Sequence, residues 1–201
     1  MTAPEVNERF SRQVILPGVG IEGQKKWGDS TILLAGEGPA LEAAQTAIQS
    51  AGSCKTIFLN PESNDPLPSF SAALVVTHNP EWRRKLNRLL RLRQGKMVFA
   101  WASGSGFSVF GEDSSQGHCP CLECFEVMNP KAFSTGTPPV QRLLGSTAAS
   151  EILQFILKGD SPLKNQVWVT SLDGGISFHH PVRPTYKCPA RLLEEGVKVT
   201  P

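Results

Sequence analysis

The sequence predicts an α/β fold, and three observations carry that prediction: a buried strand running through a glycine-rich turn into a helix, a second copy of the unit, and a closing hairpin. In the first unit, residues 31–35 form an apolar run of strand length. Pro39 stands at the first helical position, where its missing N–H costs nothing. The spacing predicts a helix over 39–50 with Gly52 as its C-cap, then a strand over 55–59. Residues 61–68 hold three prolines in eight positions, which forbids a regular crossover helix and predicts a loop. The second unit repeats the pattern, with a strand over 72–76 and Asn79 and Pro80 as N-cap and first residue of a helix over 80–94 that stops at Gly95. Strands over 97–102 and 107–110 follow, then a polar loop bearing cysteines, and an amphipathic helix over 146–158 closed by Gly159. Residues 167–171 and 176–179 make the hairpin, turning at Asp173-Gly174-Gly175.

Length and charge narrow the classes. The 201 residues suit one domain, with an N-terminal segment (1–30), a core (31–112), a cysteine loop and crossover (113–144) and a closing part (145–201). A formal charge of +2 and 40% hydrophobic residues describe a globular chain, neither a disordered tail nor a dedicated nucleic-acid binder. Residues 1–13 are polar and no apolar run reaches membrane-spanning length, so a cytoplasmic protein without membrane contact is expected.

The turn at Gly36-Glu37-Gly38-Pro39 has the outline of a phosphate cradle and little of its chemistry. Such cradles work because backbone N–H groups and the helix dipole converge on an anion. Here Pro39 has no N–H, Leu41 stands where a dinucleotide fingerprint puts its third glycine, and Glu37 and Glu42 add negative charge. A plain strand-to-helix turn is the stronger reading.

Arg83, Arg84, Lys85, Arg88, Arg91 and Arg93 crowd the helix over 80–94. Trp82, Leu86, Leu89 and Leu90 form an apolar stripe, so the arginines are expected on the solvated face. Aromatics are not interleaved with the charge, which disfavours nucleic acid. An acidic protein partner suits that face better.

Of five cysteines, three crowd into Cys119-Pro120-Cys121-Leu122-Glu123-Cys124. Cys121 and Cys124 have the C-x-x-C spacing that brings two thiolates to one tetrahedral zinc, and Cys188 is the expected third ligand. Three residues after Cys188 stands Arg191, so a fourth ligand must come from Cys119, His118, His179, His180 or water, with Cys119 favoured by proximity. The competing reading is a set of reduced thiols. A nucleophilic Cys119 or Cys121 lacks a paired base.

Arg9-Phe10-Ser11-Arg12-Gln13-Val14-Ile15-Leu16 and Gly20-Ile21-Glu22-Gly23-Gln24-Lys25-Lys26 resemble the N-terminal signature of the ThiF/MoeB/HesA proteins, bacterial relatives of ubiquitin-activating enzymes. The resemblance continues through the Gly36 turn, Val76-Thr77-His78-Asn79, Cys121 to Cys124, Gly145-Ser146-Thr147-Ala148-Ala149-Ser150-Glu151 and the Cys188 tail. It implies a Rossmann-like mixed sheet with helices on both faces, here with a shortened middle. It also implies magnesium-ATP-dependent adenylation of the C-terminal glycine of a ubiquitin-like or sulfur-carrier protein, dimers and a structural zinc.

Carried over by position, the resemblance implies lost catalysis. His78 stands where the family expects a magnesium-binding aspartate, and imidazole is a poor magnesium ligand. Asn60 and Pro61 stand where an acidic residue would hold ribose, and the proline loop replaces a nucleotide-gripping segment. Gly36, Gly38, His78 and Asn79 are then a degenerate nucleotide pocket in which ATP and magnesium binding is lost or weakened. Arg12 matches the arginine that reaches across family dimers toward the partner's nucleotide. The expectation is a catalytically degenerate subunit, in a homo- or heterodimer, that binds a carrier protein or an active homologue. The alternative is a minimal ATP-dependent adenylyltransferase.

Overall fold

The computed structural model describes residues 10–15, 18–60, 66–116, 119–128, 135–185 and 188–194. Seven strands form one sheet: β1 (Thr31–Gly36), β2 (Lys55–Phe58), β3 (Ala72–Val76), β4 (Lys96–Ser103), β5 (Gly106–Asp113), β6 (Gln166–Ser171) and β7 (Ile176–Pro181). Their spatial order is β2-β1-β3-β4-β5-β6-β7. The first four are parallel, and β5, β6 and β7 extend the sheet as an antiparallel meander.

Helices cover both faces of the parallel half, which is why its strands read as unbroken apolar runs instead of alternating ones. All five residues of β3 are buried. On one face lie α2 (Gly20–Gly28), α3 (Gly38–Ala51) and α6 (Pro138–Lys158), which bury Trp27, Ala44, Ile48, Ile152 and Phe155 against Ile32, Leu34 and Leu74. On the other lie α4 (Pro80–Arg91), α5 (Leu122–Met128) and α7 (Pro189–Glu194), whose Leu86, Leu90, Leu122 and Ala190 join a core with Leu33, Val75 and Phe99. The chain passes from β1 to β2 on one side and then crosses to β3 on the other. The order of the parallel strands therefore reverses between β1 and β3, the place where open α/β sheets leave a crevice for ligands.

Two boundaries differ from expectation. Helix α6 starts at Pro138, with Thr137 as N-cap, not at residue 146. The paired prolines are a start signal, and Gly145 inside the helix is a contact point: a Cβ there would stand 1.9 Å from the Ala40 carbonyl oxygen, so α3 and α6 approach backbone to backbone. Helix α4 ends at Arg91, and Gln94 takes a left-handed φ of 49° in the turn to β4.

The arginine-rich face of α4 is the larger correction. Arg83 is fully buried and Arg91 nearly so. Arg83 and Arg84 meet Glu126, Arg88 meets Glu123, and Arg91 meets Glu112. The acidic partner expected for this face is inside the same chain, on α5 and β5.

At the free end of the sheet every residue of β7 is exposed. The Val182 N–H donates to the Asn165 carbonyl, so Pro181, one residue earlier, faces outward where it has no N–H to offer. Among the described residues, no helix is long and apolar enough to cross a membrane.

Candidate functional site

The C-terminal ends of β1 and β3 meet at Gly36 and Val76. A Cβ on Gly36, whose φ is +140°, would stand 1.9 Å from the Val76 carbonyl oxygen, so only glycine permits this approach. The Glu37 N–H then donates to that same carbonyl at 3.3 Å. Gly38, at φ +71°, turns the chain into α3, and Pro39 begins the helix as expected.

The side chain of Glu37 closes the gap between the two strands. Its Oε1 accepts a hydrogen bond from the Thr77 hydroxyl at 3.1 Å and lies 3.2 Å from His78 Nδ1. The Thr77 oxygen in turn accepts from the Asn79 N–H at 3.1 Å. Asn79 is committed elsewhere: its Oδ1 accepts from the Glu81 and Trp82 N–H groups and caps α4. The crevice beside this bridge is lined by Gly38, Pro39, Thr77, His78, Gln141 and Leu144 among others and holds about 140 Å³. Small-molecule sites usually hold about 300–1,000 Å³.

Arg12 falls within α1 (Ser11–Val14), and its side chain lies outside what is described. Its neighbour Gln13 donates to the Ser50 carbonyl at the C-terminal end of α3. That helix is 14 residues long, so α1 docks about 20 Å from the crevice of its own chain. The structure thus sets Gly38 and His78 on one crevice with Gly36 at the turn just before it, turns Asn79 away to cap α4, and leaves the segment of Arg12 at the opposite end of α3.

A second centre forms on the other face. Cys121 precedes α5, Cys124 lies within it and Cys188 precedes α7; all three are buried. Their sulfurs lie within 4.8 Å of one another, with Cys121 to Cys188 at 3.3 Å and Cys121 to Cys124 at 3.8 Å. Zinc–sulfur bonds of about 2.3 Å in a tetrahedron separate the sulfurs by about 3.8 Å, so these thiols fit three corners of a zinc site. Cys121 is in hydrogen-bond contact with both of the other thiols. Hydrogen bonding from Cys121 holds the Cys124 thiol far below the usual thiol range, and the same contact raises Cys121. A metal ion would deprotonate both.

The expected fourth ligand is placed differently. Cys119 stands outside the cluster, its sulfur 3.6 Å from Arg91 Nη1. His179 and His180 lie on exposed β7, where His179 stacks on Trp168. His118 lies outside the described residues. The Thr185 hydroxyl donates to the Cys124 sulfur at 3.8 Å.

Sequence reasoning missed the acidic residues that hold the cysteine loop. Glu123, between the two cysteines of the C-x-x-C pair, accepts from Arg88 at 2.8 to 3.2 Å and from Asn87 Nδ2 at 3.1 Å. Three residues on, Glu126 takes Arg83 and Arg84. Burial pushes the Arg83 guanidinium down to about 10, with Glu126 opposing the shift. Burial likewise raises the Glu112 carboxyl, against the pull of Arg91. The available signal was periodic: arginines at 84 and 88 face glutamates at 126 and 123, each pair of like residues at helical spacing.

No protein-family model and no curated protein matches this chain. Solved structures do resemble it. Escherichia coli MccB with MccA is 13% identical over 92% of this chain and 74% of its own, with a TM-score of 0.73. The same protein with ATP is 15% identical at the same coverage and TM-score. The heterocyclase TruD is 14% identical, with a TM-score of 0.64; the match covers 99% of this chain and 33% of TruD, so this chain corresponds to about a third of that protein. At these identities the likeness is one of fold: the seven-stranded mixed sheet with helices on both faces is an MccB-like arrangement.

Proposed function

We propose that this chain is a catalytically degenerate subunit on an MccB-like fold, which binds a carrier polypeptide or an active homologue without turning over ATP. One observation carries the reading: at the switch point between β1 and β3, where a ligand is expected, the Glu37 carboxylate spans the crevice to Thr77 and His78. A negative charge there repels phosphate, and His78 replaces the carboxylate that magnesium requires. The likeness to MccB, solved with MccA, supports a polypeptide partner. Zinc held by Cys121, Cys124 and Cys188 would tie the C-terminal segment to the body of the domain as a structural ion, with Arg12 left to serve a partner's site. The test is calorimetry with magnesium-ATP, alone and with a small polypeptide ending in Gly-Gly. The expected result is polypeptide binding that is independent of nucleotide. Carrier-dependent exchange of pyrophosphate into ATP by the purified chain would overturn the proposal. It would favour the second reading, a minimal adenylyltransferase, to which the likeness to MccB solved with ATP lends weight.

A further inference from the structure

We infer that Glu37 is the specificity-determining residue of the crevice, and that its charge keeps two neighbouring anion donors, the Thr77 hydroxyl and the His78 imidazole, closed to pyrophosphate. The inference rests on the proposed loss of nucleotide handling and names the residue that enforces it.

Glu37 is the N-cap residue of α3, yet its side chain makes no capping hydrogen bond to that helix. The carboxylate is turned away from the usual duty of an N-cap and spent across the sheet. There it takes two groups that suit a bound anion, the hydroxyl of Thr77 and the imidazole of His78, through one oxygen. Both groups sit at the end of β3 beside the Gly36 turn. Two side-chain donors therefore remain at this end of β3, and an internal carboxylate occupies them.

The occupant can leave. The Glu37 side chain is 40% exposed and that of His78 48%, so neither is locked by packing. The turn itself has room, because a Cβ on Gly38 would meet nothing closer than Gln141 Oε1 at 3.8 Å. A full negative charge about 5 Å from a doubly charged anion weakens binding by about tenfold even at the dielectric of water. Pyrophosphate is small enough to test the donors without asking the crevice to hold a base or a sugar.

The experiment is titration calorimetry of inorganic pyrophosphate into wild type, Glu37→Gln and Glu37→Gln/His78→Ala, with thermal melts as a folding check. Glutamine keeps the acceptor oxygen and the shape but not the charge. Glu37→Gln is expected to bind pyrophosphate about tenfold tighter than wild type or better, and the double variant to lose most of that gain. Glu37→Ala, which removes the side chain altogether, should show a gain at least as large. Equal binding by wild type and both single variants, all folded, would overturn the inference and leave the proposed function standing. A gain that survives intact without His78 would also overturn it, because the donors would then lie elsewhere. Carrier-dependent turnover of magnesium-ATP by wild type would instead sink the proposed function itself.

Discussion

Replacing Glu126 by alanine strands a buried cation. The Arg83 side chain is fully buried; its Nη2 lies 3.3 Å from Glu126 Oε1, its Nη1 donates to the Thr77 carbonyl at 2.9 Å, and its guanidinium sits 5.1 Å from the Trp101 ring centre. Removing one partner of a buried pair costs about 3–5 kcal/mol, because the remaining charge has lost its counterion without regaining water. The second contact of Glu126, to half-exposed Arg84, adds about 1 kcal/mol at most. For a domain of this size that corresponds to a fall in Tm of roughly 6–20 °C. Urea denaturation should show a lower midpoint at unchanged slope. The double variant Arg83→Met/Glu126→Leu should recover most of the loss, since an apolar pair of similar volume avoids desolvation altogether. A cost below about 1 kcal/mol for Glu126→Ala would show that the pair behaves as a solvated surface bridge, and the argument from burial would fail.

Gly36→Ala should destabilise by about 3 kcal/mol or more, because the new methyl would meet the Val76 carbonyl in a backbone conformation that L-residues avoid. Gly38→Ala, whose methyl would meet only the Gln141 side chain in ordinary contact at 3.8 Å, should cost only about 1 kcal/mol of backbone strain, a contrast that chemical denaturation resolves. If zinc fills the three-thiol centre, a chelator should lower the melting temperature, and Cys121→Ser or Cys188→Ser should abolish the effect; zinc at a thousandfold above its Kd contributes about 4 kcal/mol. Cys119→Ser should leave the metal stoichiometry unchanged, whereas Glu123→Gln should weaken metal affinity about tenfold or more by releasing the C-x-x-C segment from Arg88, as read by chelator competition.

Much of the parallel half was legible because its signals are local. The apolar runs of β1 and β3, Pro39 at a helix start and Asn79 as an N-cap each announce themselves within a few residues. The start of α6 was hidden because Gly145 reads as a helix breaker, and its real purpose, close approach to Ala40, exists only once two helices are packed. The fate of the arginines was hidden for the same reason. Their glutamate partners lie 42 and 35 residues away for Arg84 and Arg88, beyond any helical period. In the crevice, the poor phosphate chemistry of the loop was readable from Pro39 and Glu37. The bridge to Thr77 and His78 was not, because it depends on β1 and β3 being neighbours although β2 lies between them in the chain. Three of the four cysteines expected at the metal centre converge. The fourth is drawn off by Arg91, a residue whose direction could not be known before the buried acidic cluster was seen.

A seven-stranded sheet with an open flank invites runaway growth, since any extended chain can add itself as an eighth strand. The proline that closes β7 removes one rung from that ladder at the terminus of the flank. Newcomers that try to zip along it find the register interrupted, so crowding in a concentrated solution is less apt to end in fibres. Stable company for this molecule is therefore better sought on its broad surfaces than along its margin.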